Sequence, residues 1–206
     1  MKRCAIAVAL LVGATAAARA PSRWDELFSA DGGPSLHARA RYRDAAGAEH
    51  RLELWRTAKA LRRDTDDALS VVVERRAGGD DQYHVIQRAG GRAYDVSRDA
   101  LYRIGSFPEW SRLATLLARP RGEVRVVPLE RAPERTAAGT CRWYDAGNER
   151  ICWSTALRLP LVVEQQSAGA WSRVAAVDSV RVGPIAAATF TADASVSRVD
   201  VDHDLD

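Results

Sequence analysis

Three groups of residues in this chain have types and spacings that could do chemistry. Cys141 and Cys152 stand symmetrically about Ala146-Gly147 in GTCRWYDAGNERICWST, a separation that suits a bridge across a hairpin and is too long for a redox Cys-x-x-Cys. Asp200, Asp202, Asp204 and Asp206 alternate as the opening of a calcium loop does, but they lack the glycine and closing glutamate that wrap such a loop around an ion. The run Arg62-Arg63-Asp64-Thr65-Asp66-Asp67 could gather carboxylates, although a polar strand end and turn accounts for it more simply. His37, His50, His84 and His203 are the available general bases. His84 lies between Tyr83 and Val85 in an alternating stretch, where a structural role is the simpler reading. No Gly-x-Ser-x-Gly elbow, His-Glu-x-x-His pair or glycine-rich phosphate loop occurs. The expectation is a protein without catalytic residues, metal or cofactor.

The disulfide reading needs an oxidising compartment, and the start of the chain supplies one. MKRCAIAVALLVGATAAARA has Lys2 and Arg3 before an apolar run from Ala5 to Val12 and small residues ending in Ala18-Arg19-Ala20, the layout of a secretory signal peptide. Residues 1–20 are therefore expected to be removed on export to the periplasm, with cleavage after Ala18 or Ala20. The apolar run is too short to span a bilayer, and nothing after it approaches a spanning length, so a membrane-spanning protein is not expected. With Cys4 gone the hairpin pair remains, and a Cys141–Cys152 bridge is expected, worth roughly 3 kcal/mol for so short a loop. Charge changes too. Residues 1–20 hold Lys2, Arg3 and Arg19 and no acid, which leaves 27 basic side chains against 27 acidic ones. A nucleic-acid partner would need a basic surplus, and none is left.

The elements that must position these residues follow from periodicity. SRWDELFSA reads as a short helix capped at Ser22 and closed by Asp31-Gly32-Gly33. Alternation then begins: Leu36, Ala38, Ala40 and Tyr42 alternate with polar residues, AAG turns the chain, and Leu52 and Leu54 resume. ALRRDTD, ALSVVVERR, QYHVIQR and GRAYDVS continue as strands, which makes an antiparallel meander. One amphipathic helix interrupts it. Ser106 and Glu109 form a capping box, Pro108 sits in the first turn, Arg119-Pro120 stops the segment, and Phe107, Trp110, Leu113, Ala114 and Leu117 share a face. Strands resume at EVRVVPL, the cysteine hairpin, LPLVVEQQS and WSRVAAVDSVRVG. If Gly147 lies in the hairpin turn, Cys141 falls directly opposite Cys152, with Trp143 on their face and Tyr144, Ile151 and Trp153 on the other. The tail SVSRVDVDHDLD is either a last edge strand or a solvated end.

This order of parts resembles the LolA-like superfamily of periplasmic lipoprotein-localisation and lipid-binding proteins. The likeness is carried by the leader, the N-terminal helix, LRRDTDDALSVVVERR, the G-x-x-Y-D-V of GGRAYDVSRDALYRI, the mid-chain helix and GTCRWY…ICWSTALRLPLVVEQQ…VRVGPI. It implies an α+β fold: an open, strongly curved antiparallel sheet, an unclosed barrel, with a helical lid. Residues 21–206 would form one such domain ending in a short acidic tail. By the same resemblance Trp110, Leu113 and Leu117 belong to the lid, and Val71, Val73, Val85 and Tyr94 line a cavity for a hydrophobic ligand such as a lipid or lipoprotein acyl chain. The function expected is a soluble periplasmic binding protein doing no covalent chemistry. The competing expectation is a cell-envelope module whose cavity is filled by its own helices and whose outer surface meets a protein partner.

Overall fold

The computed structural model describes residues 23–77, 81–97, 99, 101, 110–117, 124–191 and 197–200. The expected leader, Phe107 with the Ser106/Glu109 box and Pro108, the Arg119-Pro120 stop and the tail beyond Asp200 lie outside the described residues; the N-terminal helix is capped by Arg23 without a side-chain bond, and not by Ser22 as expected.

Alternating stretches become strands, as side chains of period two require. They are β1 (Leu36–Arg43), β2 (Glu49–Arg56), β3 (Ala60–Thr65), β4 (Leu69–Glu74), β5 (Gln82–Gln87), β6 (Arg92–Ser97), β7 (Val127–Pro128), β8 (Glu134–Thr136), β9 (Gly139–Asp145), β10 (Glu149–Ser154), β11 (Leu159–Ser167), β12 (Ala170–Val182) and β13 (Ser197–Asp200). The sheet order is β13-β6-β5-β4-β3-β2-β1-β12-β11-β10-β9-β7, with β8 on β9 off this path. Among the described residues every pairing is antiparallel except β13 on β6, and β13 and β7 are the two ends of an unclosed sheet. Of the two readings of the tail, Ser197–Asp200 takes the edge strand.

Cross-strand registry lines up three rows on one face of β1–β6. Leu36, Arg56, Leu61, Val73, Tyr83 and Val96 form a row that is buried throughout. In the next row Ala38 and Leu54 are buried, while Arg63, Val71, Val85 and Tyr94 are half-buried. In the third, Ala40 and Leu52 are buried, Thr65 is half-buried, and Leu69, Gln87 and Arg92 are exposed. Cover is thus complete at one end of these strands and thins toward the other. The opposite face is also covered in part: Ser70, Val72, Ile86 and Ala93 are buried there. The 3-10 turn Ala187–Phe190 lies against β3, and the Arg62 guanidinium donates to the Thr189 carbonyl at 3.2 Å.

Two helices depart from expectation. The N-terminal one, α1 (Trp24–Leu27), stops four residues short of Asp31, because Phe28 leaves helical geometry (φ −101°, ψ 46°). The Phe28 ring instead joins Trp24, Tyr144 and Trp153 in edge-on contacts. The second, α2, runs from Trp110 to Thr115 and packs on β3. Leu116 follows it with φ 62°, which takes the chain out of the helix before Leu117. Trp110, Leu113 and Ala114 therefore join the cluster of Leu54, Leu61 and Val73, whereas Leu117 is turned into the other cluster with Phe28 and Trp153. The single apolar face expected through Leu117 is split.

The cysteine hairpin alternates as read from sequence: Cys141, Trp143 and Cys152 enter one cluster and Tyr144, Ile151 and Trp153 the other. Its register differs by two residues. The turn is Gly147-Asn148, closed by Ala146 N–H donating to Glu149 O at 2.9 Å, with Gly147 at φ 83° in the first central position that a mirror-type hairpin turn reserves for glycine. Cys152 consequently pairs with Trp143, and Cys141 is its diagonal neighbour rather than its direct opposite. The two are bonded, with their Cα atoms 5.2 Å apart.

Candidate ligand cavity

Along β1, β11 and β12, against the Leu116-Leu117 segment that follows α2, lies a cavity of ≈ 340 Å³. Ala40 and Leu52 supply its floor from β1 and β2, Leu116 and Leu117 one side from the segment after α2, and Leu161 and Val177 its wall from β11 and β12. Arg63 reaches it from β3, with Tyr42 nearby on β1. The volume is at the small end of the roughly 300–1,000 Å³ spanned by ligand pockets.

One buried side chain anchors the helix that precedes this segment. Arg56 is 2 % exposed, and its guanidinium donates to Ala114 O (2.7 Å), Leu157 O (2.6 Å) and Arg158 O (2.9 Å). It therefore ties the last turn of α2 to the β10–β11 connection, satisfying carbonyls that a helix end leaves without intrahelical partners. Burial pulls its pKa down to about 10, which still leaves it charged at neutral pH. Leu116, held in the left-handed region immediately after this anchor, stores strain that a non-glycine residue does not adopt freely.

Of the residues expected to line a ligand site, Leu117 lines this cavity. Val71, Val85 and Tyr94 continue the Arg63 row across β4, β5 and β6, farther along the same face. Val73 sits in the fully buried row. Trp110 and Leu113 pack partly buried on the first cluster, and the Arg75 guanidinium lies 5.0 Å from the centre of the Trp110 ring. The lining that sequence reasoning missed comes mainly from β11 and β12, brought beside β1 by the pairing of Tyr42 with Ala175.

The chain matches no protein-family model and no curated protein. Kinship with the LolA-like superfamily is therefore a proposal, carried by the order of motifs and by the unclosed antiparallel sheet. Among the described residues no helix is long and apolar enough to cross a membrane, and no group of three His, Cys, Asp or Glu side chains is placed to hold a metal.

The ionisable groups at the cavity differ in their pairing. Burial lowers the pKa of Arg63, and the nearby Tyr42 phenol opposes that shift. Burial raises the pKa of Glu149. Beside the lining residue Asp44, His50 is bracketed by Asp66 and Asp44, whose hydrogen bonds raise its pKa, and it lowers both of theirs in return. A histidine whose folded pKa exceeds its unfolded value stabilises fully below about pH 6.5 and loses that contribution as pH rises through the folded value. The two aspartates, with lowered folded values, stabilise above about pH 3.8 and lose it as pH falls through the folded ones. A proton NMR titration should accordingly place His50 above an ordinary histidine, and Asp66→Asn should bring it back down. A His50 titration that Asp66→Asn leaves in place would contradict this bracketing.

Proposed function

We propose that the protein is an exported member of the LolA-like superfamily that holds a lipid or acyl chain in the cavity beside the segment that follows α2, doing no covalent chemistry. The observation that carries this reading is the ≈ 340 Å³ space walled by Ala40, Leu52, Leu116, Leu117, Leu161 and Val177. Apolar surface facing such a space is stabilised when an apolar chain displaces water from it. Half-buried Val71, Val85 and Tyr94 extend the same face beyond the cavity and give a longer chain somewhere to lie. The segment from Trp110 to Leu117 is the lid in this reading, with Arg56 as its fixed end. The leader-like start and the Cys141–Cys152 bridge support an extracytoplasmic address.

The test fills the space from its floor. Ala40→Leu places three further carbons in the cavity from β1. Nile red should bind the wild-type protein with enhanced fluorescence, and Ala40→Leu should weaken that binding about tenfold or more, the equivalent of one displaced apolar contact, while the urea midpoint holds or rises. Native mass spectrometry of protein prepared from periplasm should show a retained lipid. Absence of Nile red binding together with absence of any retained lipid would reject the cavity in favour of an envelope interaction module.

A further inference from the structure

We infer that the cavity takes its ligand as an anion, a single-chain amphiphile whose carboxylate meets Arg63 and Tyr42 while its chain lies against Leu52, Leu116 and Leu117. The inference rests on the binding reading above and adds the chemistry of the head group.

The arginines around the sheet are distinguished by their partners. Arg62 and Arg88 share Asp64, at 2.9 and 2.7 Å, and Arg41 holds Asp178 at 2.9 Å. Among the described residues neither Arg43 nor Arg63, both of which line the cavity, has a carboxylate in ion-pair contact, and of the two Arg63 is the one in the row of Ala38 and Leu54 on the covered face. The two carboxylates of the lining do not serve it. Asp44 is engaged by His50 and by the Ala48 N–H, and Glu149, whose pKa burial raises, is not within ion-pair distance of Arg63. Arg112, close enough to oppose the charging of Arg63, adds positive field to that of Arg63. A charge lying against apolar walls without a counter-ion is unfavourable, and a ligand anion would relieve it.

Donor geometry selects the head group. A guanidinium presents two parallel N–H bonds to the two oxygens of a carboxylate. Tyr42 lines the same cavity, and its phenol O–H can donate to the ligand beside the guanidinium. Three donors suit a monoanionic carboxylate; a dianionic phosphate would ask for more and would meet Asp44 and Glu149 across the same space.

The experiment compares dodecanoate, methyl dodecanoate and dodecyl phosphate as competitors of Nile red on the full chain, at a pH where the acid is ionised. Wild-type protein should prefer dodecanoate to its ester by about tenfold or more, as a charge-assisted hydrogen bond implies, and to the phosphate as well. Arg63→Met, which keeps an unbranched stem, should bind acid and ester alike. Tyr42→Phe should lose part of the preference and provides the readout should Arg63→Met not fold. Equal wild-type affinity for acid and ester, or a preference that survives both substitutions, would overturn the head-group inference while leaving an apolar ligand in place. A preference for the phosphate would overturn the carboxylate assignment. Failure of all three to compete, with no Nile red bound, would overturn the binding reading itself.

Discussion

Arg56→Met is expected to lower the unfolding free energy by about 3 kcal/mol, the largest loss from any single substitution near the cavity. The methionine keeps much of the volume and removes the burial of a charge, which alone would stabilise. Against that, Ala114 O, Leu157 O and Arg158 O all lose their guanidinium donor, and each buried carbonyl left without one costs about 1–3 kcal/mol. The three carbonyls outweigh the relieved charge. Arg56→Lys should do no better, because an ammonium is a compact point charge and cannot span the fork from α2 to the β10–β11 connection. The effect should be localised as well as global. Amide hydrogen exchange should accelerate across residues 110–117 before it does in β1 or β2, and Nile red affinity should fall, since Leu116 and Leu117 line the cavity directly after the anchored turn. Urea unfolding with an unchanged m-value measures the first claim. A loss under about 1 kcal/mol would mean that the carbonyls find other donors.

The anchor was invisible in the sequence, and the reason is instructive. WRTAKALRRD offers Arg56 as one arginine among many, at the end of a strand that alternation places correctly. What makes it structural is registry: it falls in the row between Leu36 and Leu61, where every neighbour is apolar and buried. The meander β1–β6 was legible because polar and apolar residues alternate in β1 and β2 and short β-branched or aromatic runs such as SVVVE and YHVI lie between turn residues. Leu159–Ser167 was legible too, as an apolar run ending in polar residues. EVRVVPL reads as a full strand, yet among its described residues only Val127–Pro128 form one, with Val126 in a bridge beside them. ERT, strand β8, is polar and three residues long and carries no periodic signal.

The helix fails for a different reason. Its apolar spacing runs on to Leu117, but the backbone leaves the helix at Leu116, and a leucine in the left-handed region gives none of the warning that glycine or asparagine would. Periodicity reports which side chains could share a face; it is silent on where the backbone stops obeying the period. The cavity was equally unreadable, because half its wall depends on β12 lying beside β1. Partner choice between strands so distant in sequence is settled by packing and not by any local pattern.

The second large effect belongs to the bridge, which was legible because two cysteines flank one turn. Replacing both residues, Cys141→Ala with Cys152→Ala, should cost about 3 kcal/mol, the loop-closure contribution for the short segment they enclose. Alanine avoids placing hydroxyls in the apolar cluster of Trp143, Leu159 and Leu161. Both cysteines are buried, at 2 % and 0 % exposure, so a thiol reagent should reach the bridge only when β9 and β10 open. Intact-mass analysis of native protein should find both thiols blocked to alkylation, with reduction slow in buffer and fast in urea. The diagonal register sharpens the expectation. Cys152 is already held opposite Trp143 by the ladder, and Trp143 is fixed in turn by Glu134 at 3.1 Å and by the Arg131 guanidinium 4.4 Å from its ring. The reduced hairpin should therefore keep its native registry, and the loss should appear as a lower urea midpoint with the near-ultraviolet tryptophan signal retained. Free thiols in protein purified from an oxidising compartment would remove the bridge from the account, and a collapsed tryptophan signal on reduction would show that the bridge, and not the ladder, sets the register.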